Sequence, residues 1–131
     1  EPPKIGPAFP TLVPQVDLDG NETSGIRMPE IQVPLASYTG WNLRSPKIGA
    51  PSELFSMVGS WIPFPVNKTE RENRKDPRLS IEERYKSKRD YLERITTAAQ
   101  KLVDQRYLLD QDIPKLRDRA AKEWDYVLRS N

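Results

Sequence analysis

The chain contains neither histidine nor cysteine in its 131 residues. Without histidine it lacks the commonest general base, the base of a Ser or Cys triad, and the commonest zinc ligand. Without cysteine it has no disulfides and no thiolate metal sites. That absence leaves the compartment open, since many exported proteins also lack cysteine and a periplasmic or secreted location is compatible with it. No apolar run approaches the roughly 20 residues that span a bilayer, which predicts a soluble chain without a membrane partner. A nucleophile elbow, a P-loop and a dinucleotide fingerprint are all missing, so no cofactor is expected. Paired carboxylates could in principle cleave glycosides, but most of the acids here fall in turns or on charged helix faces.

A charge excess of one sign is lacking as well. Residues 1–77 hold 8 basic and 9 acidic side chains, residues 78–131 hold 13 and 10, and the net charge is +2. Interspersed charges of both signs make no polybasic stripe, which argues against nucleic acid as a partner. The opening Glu1-Pro2-Pro3 is neither a translation start nor a secretory signal, so the chain is expected to be a segment of a longer polypeptide.

Proline divides what is present. Twelve of the thirteen prolines lie in residues 1–77, and only Pro114 lies beyond. A proline roughly every six residues removes donors and fixes φ too often for long ladders or helices. The expected organisation is therefore a Pro-rich extended arm over 1–77, with a β-hairpin and an apolar docking segment, followed by a helical tail over 78–131. Only 36% of the chain is hydrophobic and 31% is charged, so a large private core is not expected.

Along the arm, Thr11–Val16 reads as an extended run. Asp17-Leu18-Asp19-Gly20-Asn21-Glu22 then supplies turn chemistry, and Thr23–Arg27 returns as the second strand of a hairpin. Asp17, Asp19 and Asn21 alternate like the early ligands of a calcium loop, but Glu22 stands where the sharp-turn glycine belongs and Met28 where the closing glutamate belongs. A polar turn without metal is the expected reading, with these three as weak ligand candidates. Ile31–Leu35 is a second extended candidate. Residues 51–65 form the most apolar stretch, including Leu54, Phe55, Met57, Trp61, Ile62 and Phe64, and are expected to anchor into a neighbouring surface. Residues 67–78 read as a polar connector.

The tail carries mutually consistent helix signals. Ser80 with Glu83 forms a capping box that opens a short helix over 81–85, and Ser87 with Asp90 opens a longer one over 88–107. Its stripe is Tyr91, Ile95, Ala99, Leu102 and Val103. A third helix over 111–129 takes Pro114 in its first turn and carries Ile113, Leu116, Ala120, Trp124, Val127 and Leu128, matched for an antiparallel pair. The charges from Lys115 to Glu123 are read as a solvated face. The predicted fold class is thus mixed: a mainly irregular arm with a short β-hairpin, then an α-helical tail of two to three helices.

Several runs resemble the C-terminal region of a family of large α/β-hydrolase-domain proteins. They are the stretch from Phe9 to Glu22, Gly25-Ile26-Arg27-Met28-Pro29, the stretch from Val33 to Asn42, Gly59-Ser60-Trp61-Ile62-Pro63-Phe64, Asp76-Pro77-Arg78, the stretch from Ser80 to Tyr85, Ala98-Ala99 and Trp124-Asp125. The resemblance implies a place within a larger α/β-hydrolase fold, with the serine nucleophile and the histidine upstream in the same polypeptide. It implies a small ester or acyl substrate for the whole protein, no catalytic residue in this chain, and the catalytic core of the same polypeptide as its partner. Tyr38, Thr39, Trp41 and Asn42, aromatic and polar groups about Gly40, read either as a satisfied turn packed on the core or as the candidate substrate-pocket wall. Two other functions remain open: a self-standing interaction module using the helical pair, and a calcium-stabilised binding domain.

Overall fold

Five α-helices and one two-stranded antiparallel sheet make up the regular structure among the residues described by the computed structural model, which are 4, 6–7, 14–55 and 57–129. In chain order these are α1 (Pro29–Gln32), β1 (Ala36–Thr39), β2 (Ser60–Pro63), α2 (Lys68–Arg74), α3 (Ile81–Arg84), α4 (Lys88–Asp104) and α5 (Ile113–Arg129). Short 3₁₀ turns lie at Pro46–Ile48 and Asp110–Asp112.

The tail forms through its caps. Ser80 and Glu83 bond reciprocally at the start of α3, and the Ser87 hydroxyl accepts the N–H of Asp90 at the start of α4. α4 stops at a left-handed residue, Arg106, at φ 66°. There the N–H groups of Arg106 and Tyr107 return to the carbonyls of Val103 and Leu102, a double bond pattern that satisfies the last turn. α4 and α5 pack together and bury Tyr91, Ile95, Ala99, Leu102, Ala120, Trp124 and Val127, while Leu128 of the expected stripe is exposed.

The arm lies on this pair and completes its core. Leu35 and Phe64, which flank the sheet, are fully buried in one cluster with Ile81, Tyr85, Tyr91, Ile95, Trp124 and Val127. Within it the Tyr91 and Trp124 rings stack at 5.2 Å, Tyr85 meets Tyr91 edge-on at 5.1 Å, and the Tyr85 hydroxyl donates to the Pro34 carbonyl at 2.8 Å. The Phe64 ring lies under two guanidinium groups, Arg84 at 4.1 Å and Arg78 at 5.1 Å.

Three readings of the arm need correction. The regular hairpin is not the one expected around Asp17. Thr11–Val13 lie outside the described residues, and beyond them the pairing amounts to a Val16–Glu22 bridge. Gly25, at φ 77°, turns the chain away before a second strand can run. The sheet instead joins β1 to β2 in the register Ala36–Pro63, Ser37–Ile62, Tyr38–Trp61 and Thr39–Ser60. The second correction is at Ile31–Leu35, where Pro29 at the first helical position and Glu30 in the first turn start α1 in place of a strand. In the third, the polar connector contains α2, capped by the Asn67 side chain on the N–H of Glu70 while Glu70 returns to the N–H of Val66.

Candidate functional site

Asn21 fixes the strand on which two of the four candidate pocket residues, Tyr38 and Thr39, lie. Wholly buried, its amide donates to the Ala36 carbonyl at 3.1 Å and accepts the Tyr38 N–H at 2.7 Å, so one side chain does the work of a third strand on the outer edge of β1. Asn21 is held in turn by Asp17, whose Oδ1 accepts the N–H groups of Asp19 and Asn21 at 3.0 Å each. The remaining oxygens of the turn's acids face cations already in the chain. Arg27 bonds Asp17 at 2.8 Å, and Arg84 pairs with Asp19 through both terminal nitrogens. A calcium ion there would have to displace two guanidinium groups and the backbone partners of Asn21. Among the described residues no group of three or more acids is arranged to hold a metal.

The four pocket candidates divide between two jobs. Tyr38 reaches across to α5, where its hydroxyl donates to Glu123 Oε1 at 2.5 Å. The indole of Trp61, its cross-strand partner, donates to the same oxygen at 3.1 Å, and the Trp61 ring meets Tyr126 at 5.7 Å. Burial, then the bond to Glu123 and its charge, pushes the Tyr38 phenol well above its ordinary range. Thr39, Trp41 and Asn42 organise the turn instead. The Thr39 hydroxyl donates to the Trp41 carbonyl at 2.5 Å and accepts the Ser60 N–H at 3.0 Å, while Asn42 accepts from Leu43 at 2.8 Å. The Trp41 ring itself is half exposed and borders an open depression with Ile62, Lys75 and Arg78.

Between β1 and β2 the chain makes a long excursion. Arg44 N–H bonds the Glu53 carbonyl at 3.0 Å, Phe55 N–H bonds the Asn42 carbonyl at 2.8 Å, and Leu43 bridges Leu54, so residues 42–55 form a projecting two-armed loop. Its apolar side chains have no core to enter: Leu43, Ile48, Leu54, Phe55, Met57 and Val58 are all exposed, Met57 completely. Among the described residues of the apolar stretch, Phe64 and Pro65 at its end turn inward.

Sequence reasoning missed Glu30, Arg119 and Glu123. Glu123 and Arg119 fall among the charges read as a solvated face, yet Glu123 takes two donors from the sheet and Arg119 pairs with the buried Glu30. The available signal was helical spacing: Arg119, Glu123 and Tyr126 share one edge of the α5 stripe.

No described helix is long and apolar enough to cross a membrane. Comparison with known proteins gives one family: a model described as an alpha/beta hydrolase domain matches residues 2–118. No curated protein and no solved structure matches.

Proposed function

The chain belongs to the alpha/beta hydrolase domain family, and from that premise we propose that it is a non-catalytic C-terminal segment of a serine ester or acyl hydrolase. It packs on the catalytic core and helps to wall the substrate pocket. The observation that carries this reading is the projecting loop at residues 42–55 with Met57 and Val58 beside it, whose large apolar side chains stand in solvent. Isolated surface leucines are ordinary, but Leu43, Ile48, Leu54, Phe55, Met57 and Val58 exposed on one short segment are what a docking element would present.

The chemistry would be supplied by that core. A serine there attacks the acyl carbon, a histidine takes and returns the proton, and backbone N–H groups hold the oxyanion. These 131 residues contain no histidine for that role. Tyr38, Thr39, Trp41 and Asn42 would meet substrate from the rim of β1, with Trp41 offering the accessible ring.

The alternatives find less support. The helical pair commits its apolar stripe to its own core, which leaves its outer face charged. A calcium-stabilised turn would need the oxygens that Arg27 and Arg84 hold.

Labelling with a fluorophosphonate serine probe tests the reading. The 131-residue chain alone is expected to take no label and to leave p-nitrophenyl esters intact. The complete hydrolase polypeptide is expected to take one label outside these residues. Stoichiometric labelling of any serine within them would overturn it.

A further inference from the structure

A cleft of about 400 Å³ opens between α1, the sheet and α5. Its walls are the Tyr38 and Trp61 rings, the aliphatic Met28 and Ile31, and the carboxylates of Glu30 and Glu123. Arg119 stands over Glu30 as the single cation of the lining, so the lining groups carry one net negative charge.

Glu30 is the informative group. It is nine-tenths buried, its Oε1 meets the Arg119 guanidinium, and its Oε2 has no hydrogen-bond partner among the described residues. A buried carboxylate with a single cationic contact depends on that contact to stay charged. The cation present is a poor fixture: Arg119's side chain is 65% exposed against 11% for Glu30. An exposed guanidinium on a long flexible stem is readily exchanged for a better-fitting positive group. Glu123 differs, because Tyr38 and Trp61 both donate to its Oε1 and hold it rigidly beside the two rings.

We infer that this cleft binds an organic ammonium cation, with Glu30 and Glu123 as counter-charges, the Tyr38 and Trp61 faces as its walls, and Arg119 as the displaceable stand-in. A hard divalent ion is a worse fit, since it needs six or more oxygen ligands and gains little from aliphatic and aromatic surface. An anion meets two carboxylates. A weakly hydrated alkylammonium gains from both the acids and the ring faces, and the cleft volume is of the size that takes small ligands.

The site is tested on the 131-residue chain by itself, so the outcome is independent of whether a catalytic core docks. Tetramethylammonium and choline are titrated while the Trp61 indole N–H resonance is followed, with sodium chloride at matched ionic strength and the neutral isostere 3,3-dimethylbutan-1-ol as controls. Saturable shifts at Trp61 are expected, with affinity on the order of millimolar. Glu30→Gln and Glu123→Gln are each expected to weaken binding roughly tenfold. Arg119→Gln, which vacates the cleft, is expected to tighten it and to give a larger thermal stabilisation by the cation than the parent chain shows. The inference is overturned if sodium reproduces the shifts, if the neutral isostere binds equally well, or if Arg119→Gln leaves affinity unchanged. A parent chain that shows no saturable shift at Trp61 overturns it as well.

Discussion

A few side chains hold far more than their own surroundings. Asn21→Ala removes two bonds to β1 and leaves the Ala36 carbonyl and Tyr38 N–H without their partner. A loss of about 2–4 kcal/mol in denaturant unfolding is expected, with Asn21→Asp only partly compensating because it cannot donate. Gly59 is constrained differently. A β-carbon there would overlap the Thr39 carbonyl oxygen across the strand pair, so the sheet must open to admit one. Gly59→Ala is expected to lower stability by about 1–3 kcal/mol, and a melt matching the parent would show that β2 shifts freely. Ser80 is fully buried and caps α3 while Glu83 returns the bond. Ser80→Ala should cost about 1–2 kcal/mol on the same measurement.

At the scale of elements, the helices were legible because each announces its own beginning: Ser80 with Glu83, Ser87 with Asp90, and Pro114 in a first turn are local chemistry that tertiary contacts reinforce. The same logic was available for α2 in Asn67 and Glu70, but a run of ten polar residues offered no stripe to confirm it. The sheet was not legible. β1 and β2 are separated by the whole 40–59 excursion, and the residue that completes β1's edge, Asn21, lies outside both. The family resemblance was readable in short motifs, whereas the Glu30, Arg119 and Glu123 cluster depended on which faces α1 and α5 turn toward each other. The excursion supplies a prediction of its own. Replacing Phe55 and Met57 together by Asp should leave the melting temperature within about 2 °C of the parent, since both are exposed and outside the core. If the proposed docking holds, it should also abolish co-purification with a separately produced catalytic core. A large drop in melting temperature would mean that the loop supports this fold and not a neighbour.

Over the whole molecule, titration limits stability at both ends of the pH scale. The hydrogen bond from Arg78 holds Asp76 below its ordinary value of 3.8, and that from Arg94 does the same for Asp90. Ser80 lowers Glu83 from 4.5. Folded values below the unfolded ones mean that these contributions are complete above about pH 4.5 and fade as pH falls through the depressed values. Tyr38, Tyr85 and Tyr91 are raised from 10, chiefly by burial. Their contribution is complete below about pH 10 and is lost as pH rises beyond it, because the unfolded chain sheds these protons first. Melts across the scale should show a plateau between these limits and a steep alkaline fall that Tyr38→Phe makes shallower. An unchanged alkaline limb in that variant would remove Tyr38 from the account. The shared core carries one more consequence, for synthesis. Leu35 and Phe64 leave the ribosome long before Trp124 and Val127 exist to receive them. At about 5–20 residues per second the nascent arm waits several seconds with its two anchoring side chains unsheltered. A translational pause placed between the codons for β2 and α5 should therefore lower the soluble yield, while the same pause placed after α5 should not.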